Sequence, residues 1–195
     1  IAQRGIISMN SLSSYTDDGS ELEINVSERL GCIVEATCGS LGQALSVAAG
    51  ISLSAKRRER SHRSYVILGD GELQEGQTWE AAMFAASHNL NNLCLIIDLN
   101  FLQVEGHTDK VLKMEPIDKK FEAFGWNVIL VDGHNFPDLR DAFHSASNEL
   151  KKPSVLIART LVGKGCVSLE GQLSHNMILP ENIAARALEE LEEEI

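Results

Sequence analysis

The chain has 195 residues, 44% hydrophobic and 23% charged, and its 17 basic and 28 acidic side chains give a formal net charge of −11. That length suits one domain with a sizeable core, and the mixture excludes a wholly disordered polymer. The negative charge excludes a non-specific nucleic-acid binder, and the longest apolar run, Leu93 to Ile97, is far below the about 20 residues of a membrane span.

Residues 1–36 carry turn signals at Asp17-Asp18-Gly19 and no complete strand, and are expected to be either a surface segment laid over a sheet or the remainder of a lead-in that is missing. The first residue is Ile1 rather than Met, so the numbering is expected to begin inside a longer polypeptide; no basic-then-apolar leader opens these residues. Leu41 to Arg60 places Leu41, Leu45, Ala48, Ala49 and Leu53 at helical spacing and ends in basic residues, which suit a helix C-terminus. Ser64 to Leu68 then reads as a strand. Gln77 to Leu90 predicts a helix with Trp79, Met83, Ala86 and Leu90 on one stripe, and Leu93 to Asp98 a second strand.

A third strand is expected at Trp126 to Val131. Phe136 to Lys152 predicts a helix through Leu139, Phe143, Ala146 and Leu150, with Asn135 as N-cap and Pro153 as its stop. Ser154 to Ala158 gives a fourth strand, and Pro180 opens a last helix at its N1 position. Glu189, Glu190, Glu192, Glu193 and Glu194 read as a solvated acidic face. Short Val- and Ile-rich runs suit strands buried on both faces. Their alternation with helices predicts an α/β fold, a doubly wound, mostly parallel sheet with right-handed crossovers, forming a single domain over 1–195 that ends in the acidic helix at 180–195.

Cys32, Cys38, Cys94 and Cys166 form no CxxC pair and fit neither a disulfide framework nor a zinc site. Cys94 reads as a core residue. A reducing, cytoplasmic setting is the expectation.

Ligands in open α/β sheets bind beyond the carboxyl ends of the strands. The first strand ends in Gly69-Asp70-Gly71 and runs into Glu72-Leu73-Gln74-Glu75-Gly76; the second ends in Asp98-Leu99-Asn100. A P-loop needs Gly-Lys-Ser/Thr, which does not follow, and a GxGxxG fingerprint fails at Gln74. The reading that survives makes Asp70 a metal ligand flanked by glycines that let a diphosphate approach the backbone. Asp70 and Asn100 stand thirty residues apart, about one helix plus one strand, so both emerge at one sheet edge. A carboxylate, an amide oxygen and a backbone carbonyl just past Asn100, completed by a diphosphate, suit a hard cation such as Mg2+. Asp70 is expected to serve the metal and to contribute little to packing. The plain alternative is a tight turn at Gly-Asp-Gly and a cap at Asn100.

Gly69-Asp70-Gly71, Glu75-Gly76, Trp79-Glu80-Ala81-Ala82 and Asp98-Leu99-Asn100 together resemble the thiamine-diphosphate motif. Gly39-Ser40-Leu41-Gly42-Gln43, Val131-Asp132-Gly133-His134 and Gly163-Lys164-Gly165 narrow the resemblance to the transketolase family, from about Gly5 to His175. It is most similar to the split form, whose N-terminal subunit carries the diphosphate-binding domain and a separate C-terminal subunit the pyrimidine-binding domain. The resemblance implies thiamine diphosphate and Mg2+ as cofactors, with Asp70, Asn100 and the Leu102 carbonyl on the metal. It implies Gly39, Ser40, Leu41, Gly69, Gly71, Glu75 and Asn100 as cofactor-binding positions, with Gly39, Ser40 and Leu41 on the thiazolium side. Glu75 and Glu80 would lie near the subunit interface. His175 falls where the family places an active-site histidine after its Gly-Lys-Gly loop, although Asn176 stands where glycine is usual.

His107 and His134 sit in motif-like contexts and fit structural hydrogen bonding equally well; His62, His88 and His144 read as surface residues. The family's Gly-His-Pro segment before the Gly-Ser-Leu-Gly turn is replaced by Glu23-Ile24-Asn25-Val26, Cys38 replaces a threonine, and Ala44 a glycine. The resemblance therefore implies an intact metal and diphosphate apparatus beside an eroded sugar site. Two functions remain open. One is the catalytic N-terminal subunit of a transferase that moves a two-carbon ketol or acyl unit; the other is a non-catalytic or regulatory partner subunit that keeps the fold. In either, the partner is a pyrimidine-binding chain in a hetero-oligomer, two copies of each, and the stripe Ala81, Ala82, Ala85 and Ala86 is expected to pack against it.

Overall fold

The computed structural model describes residues 1–175 and 178–193, so Asn176, Met177, Glu194 and Ile195 lie outside the described residues. In chain order the elements are α1 Gln43–Arg57, β1 Ser64–Gly69, α2 Gly76–Ser87, β2 Leu93–Leu99, β3 Leu102–Gln103, β4 Gly106–His107, α3 Thr108–Val111, α4 Ile117–Phe124, β5 Asn127–Asp132, α5 Phe136–Asn148, β6 Ser154–Arg159 and α6 Glu181–Glu193. Short 3-10 segments precede them at Met9–Ser14 and Glu28–Ile33, the latter kinked at Gly31, and another, Gly71–Gln74, joins β1 to α2. The main sheet is four-stranded, in the order β1-β2-β6-β5, and every pairing is parallel. The α/β class and the parallel sheet agree with the alternating pattern of the sequence.

Period-2 alternation in β2 divides the core. Leu95, Ile97 and Leu99 face α1, α2 and α4 with Leu45, Ala82, Ala85 and Phe121, while Cys94 and Ile96 face α5 with Ala142 and Ala146. Burial on both faces, expected of all the strands, holds for the central β2 and β6. It fails at the edge strand β1, where Tyr65 is 53% and Ile67 69% exposed. Residues 25–41 run beside β1 and leave a groove between themselves, β1 and α1.

Of the stripe expected on α2, Trp79, Ala86 and Leu90 pack on the core and Met83 does not. Thr78, Ala81, Ala82 and Ala85 are buried in the chain's own core, while Met83 is 49% exposed. Small side chains there let α2 lie close to α1 and the sheet, so Ala81, Ala82 and Ala85 are not available to a partner. Trp79 packs on Phe121 and Phe124 of α4, and the buried Trp126 donates its Nε1–H to the Ala82 carbonyl at 2.9 Å. Helix α5 is capped by Asn135, whose Oδ1 accepts from the Asp138 N–H. It ends at Asn148 rather than Lys152, because the Glu149 carboxylate takes the N–H groups of Lys151 and Lys152 into a turn.

Candidate functional site

Gly69 lies opposite Asp98 in the β1–β2 register, so the two strands deliver Asp70 and Asn100 side by side. The Asp70 N–H donates to the Asp98 carbonyl at 3.1 Å. The Asp70 side chain is 2% exposed, which corrects the expectation that it takes little part in packing. Its Oδ1 accepts from the Gly71 N–H at 3.0 Å; its Oδ2 accepts from the Phe101 N–H at 2.8 Å and the Thr108 hydroxyl at 3.2 Å. Phe101 adopts a left-handed backbone, φ 63°, unusual for a bulky residue, and its N–H meets Asp70 in that conformation. Asn100 Oδ1 accepts from the Leu102 N–H at 2.9 Å.

Burial pushes the Asp70 carboxyl above its usual range, against the lowering pull of its three donors, and the nearby Asp98 charge adds to the rise. None of the groups acting on Asp70 is cationic. A buried carboxylate without a cation, beside an amide oxygen, is a donor set that a hard divalent ion would complete. No cluster of three or more His, Cys, Asp or Glu that could hold a metal occurs among the described residues, so oxygen from a bound ligand would have to fill much of the shell. Gly71 lets the turn lie close against Gln103: a Cβ there would stand 2.9 Å from Gln103 Cβ. Gln103 in turn is fastened to the 71–74 turn, its Oε1 accepting from Gln74 Nε2 at 2.6 Å.

A second turn, Gly39 to Gly42, precedes α1. Gly39 has φ 135° and faces Asn25, whose Cγ would lie 2.9 Å from any Cβ placed on it. Gly42 caps the helix in the left-handed region, with its N–H donating to Glu72 Oε1 at 2.7 Å. Gln77 Nε2 donates to the Leu41 carbonyl at 2.7 Å. Gly39, Ser40 and Leu41 line the groove beside β1, a cavity of about 760 Å³ that also takes in Asn25, Cys38 and Glu72.

His175 is exposed and lines a smaller cavity of about 150 Å³ with Asn100, Leu102 and Gln103. Asp70, Gly71, Asn100, Leu102 and His175 are thus grouped around the ends of β1 and β2. Gly39 to Leu41 stand on the far side of Glu72. Glu75 caps α2 and, with Glu80, lies on its exposed face. His134 has a structural role, its Nε2 accepting from the Leu161 N–H at 2.8 Å, while His107 is exposed on β4. Sequence reasoning missed Thr108, Phe101, Gln77 and Gln103, and it placed Glu72 at the diphosphate end without its bond to Gly42. Only Asn25 carried a signal, as the residue standing where the family shows its Gly-His-Pro segment.

Residues 6–190 match the family described as transketolase, thiamine diphosphate binding domain. The chain is 38% identical over 195 residues to the 6-deoxy-6-sulfo-D-fructose transketolase subunit of Clostridium sp. (strain MSTE9), spanning all of this chain and 71% of that one. It is 37% identical over the same length to an apulose-4-phosphate transketolase subunit of Actinobacillus succinogenes, covering 70% of that protein. Among solved structures, transketolase from Campylobacter jejuni superposes with a TM-score of 0.85 at 31% identity, over 95% of this chain and 30% of that one. The chain belongs to the transketolase family, within its thiamine diphosphate-binding domain.

Proposed function

We propose that this chain is the diphosphate-binding subunit of a Mg2+-dependent transketolase-like transferase, moving a two-carbon ketol or acyl unit from a ketose or 2-oxo donor to an acceptor. The observation that carries the reading is the buried Asp70 carboxylate, with no cation acting on it, next to the Asn100 amide at the neighbouring strand end. Bound thiamine diphosphate supplies an electron sink for the breaking C–C bond. The chain's own work is binding and orientation. Asp70, Asn100 and the Leu102 carbonyl would hold the metal, while Gly69, Gly71 and Asn100 would meet the diphosphate. Gly39, Ser40 and Leu41 would form the facing wall, with Glu75 at its edge. His175, on the cavity that reaches Asn100 and Leu102, would meet the substrate.

The names of the two relatives support a sugar bearing a sulfonate or a phosphate as the substrate class. The naming of both relatives as subunits, and a span of only 30% of a longer transketolase, support a separate pyrimidine-binding partner in a hetero-oligomer, two copies of each chain about a two-fold axis. The reading treats residues 1–195 as one domain working in the cytoplasm, in keeping with free Cys38, Cys94 and Cys166. Among the described residues no helix is long and apolar enough to cross a membrane. The test mixes the chain with a pyrimidine-domain partner, thiamine diphosphate and Mg2+, and assays sugar phosphates, sulfosugars and 2-oxo acids. Turnover is expected from the mixture alone. Absence of cofactor binding by the mixture would leave the non-catalytic reading in its place.

A further inference from the structure

The peptide plane between Leu41 and Gly42 is held at both edges. Its carbonyl accepts from Gln77 Nε2 at 2.7 Å and its N–H donates to Glu72 Oε1 at 2.7 Å. Both side chains come from the segment that follows Asp70: Glu72 from the 3-10 turn that Asp70 caps, and Gln77 from the first turn of α2. The surrounding turn has little else to fix it. Cys38, Gly39, Ser40 and Leu41 are exposed, and glycines at both ends hold left-handed φ values of 135° and 81°. Such a turn left free samples many conformations, and holding one of them has to be achieved by its neighbours. The fit is close, since a Cβ on Gly42 would stand 2.8 Å from Glu75 Cβ and 2.9 Å from Gln77 Cγ.

We propose that Glu72 and Gln77 are positioning residues that fix the Gly39–Gly42 turn against the Gly69–Gly71 turn, and so set the spacing between the two walls that would receive the cofactor. The inference rests on the functional reading above. Neither residue needs to touch the cofactor; each acts through the Leu41–Gly42 peptide. The Glu72 bond is carboxylate to amide and part-buried, which makes it the stronger of the two grips.

Two measurements on the full chain test this, each on wild type, Glu72→Gln, Glu72→Ala and Gln77→Met. The first is hydrogen exchange of the Gly42 amide. The second is calorimetric titration of thiamine diphosphate with Mg2+ into the chain assembled with its partner. Glu72→Ala is expected to release Gly42 protection and weaken binding by about tenfold or more, while Glu72→Gln, which keeps an acceptor, stays within about threefold of wild type. Gln77→Met, which deletes only the carbonyl grip, is expected to weaken binding less, and it stands in if Glu72→Ala fails to fold. Unchanged Gly42 exchange in Glu72→Ala overturns the clamp, as does equal weakening by the Ala and Gln variants. A wild-type chain that binds no cofactor overturns the functional reading instead, and the exchange experiment still decides the clamp.

Discussion

The Phe101 N–H donates to Asp70 Oδ2 at 2.8 Å, joining the end of β2 to the end of β1 across thirty-one positions of sequence. The bond gives Asp70 two tasks. It organises the strand ends through three donors, and it presents a negative charge there that no cationic side chain among the described residues answers.

Asp70→Ala is therefore expected to weaken the fold as well as the site. It leaves the Gly71 and Phe101 N–H groups and the buried Thr108 hydroxyl without their acceptor, a loss of about 2–4 kcal/mol in denaturant unfolding. Asp70→Asn keeps the shape and one accepting oxygen but turns an NH2 toward at least one of the donors, so it should destabilise less than Asp70→Ala yet lose Mg2+-dependent binding of thiamine diphosphate. Asn100→Ala removes a neutral oxygen and should weaken that binding less. Full Mg2+-dependent affinity in Asp70→Asn would remove Asp70 from the metal.

The strands, the larger helices and the strand-end site were legible because each leaves a local signature. Leu93 to Ile97 is a continuous apolar run, and Asp70 and Asn100 each sit beside the residues that mark a strand end. Contacts that depend on a fold-back left no such mark. Phe101 serves the site through its backbone, with a φ that its side chain does not advertise. Glu72 looked like one more acidic residue after a turn, and its partner Gly42 lies thirty positions away. On α2 the sequence pattern found Trp79 and Leu90 but misplaced Met83, because hydrophobicity favoured it, whereas close packing also selected Thr78 and the smaller alanines. Helix α4 is short and half-charged, and its gain comes from Phe121 lying under Trp79 and Trp126, which only the assembled core reveals.

Cys94 supplies a test of the core by pH. Burial pushes its thiol from 9.0 up to about 11, with the Arg63 charge pulling slightly the other way. A raised pKa favours the neutral thiol in the folded state, so its contribution is complete below about pH 9 and is lost as pH rises through about 11. The unfolding free energy of wild type should fall relative to Cys94→Ala across that interval, by about 2–3 kcal/mol in all. A parallel pH dependence of the two proteins would contradict the assignment. Thiol labelling at neutral pH should modify exposed Cys38 first and reach Cys94 only on unfolding.

Arg63 fastens the start of β1 to the far end of α5. Its Nη2 donates to the Asn91 carbonyl at 2.8 Å and the Ala146 carbonyl at 2.9 Å, the latter in the last turn of the helix. Arg63→Met should destabilise the chain by about 1–3 kcal/mol in urea unfolding, since it strips donors from carbonyls that have left water. Lysine lacks the planar fork and should recover only part of that loss. Removing the guanidinium also removes the charge that lowers the Cys94 pKa, so the thiol in Arg63→Met should titrate higher still, read by thiolate absorbance below the onset of unfolding.

Helix α2 separates stability from assembly, because its two faces do different things. Ala82 and Ala85 have no exposed surface and lie in the core against α1 and the sheet. Ala85→Leu has no room for its added carbons and should destabilise the isolated chain by about 1–3 kcal/mol. On the opposite face Met83 is 49% and Phe84 41% exposed, beside exposed Glu80, with the Phe84 ring packed at a tilt against His88, 4.3 Å between ring centroids. Apolar side chains left in water at neighbouring positions contribute little to the fold and gain most from being covered by a second chain. A Met83→Ser, Phe84→Ser double variant should therefore unfold within about 0.5 kcal/mol of wild type. It should bind the proposed pyrimidine-domain partner at least tenfold more weakly, read by analytical ultracentrifugation of the mixture. If the pair forms with unchanged affinity, this face is not the contact, and the partner must be sought on the groove beside β1, where Ile67 is 69% exposed.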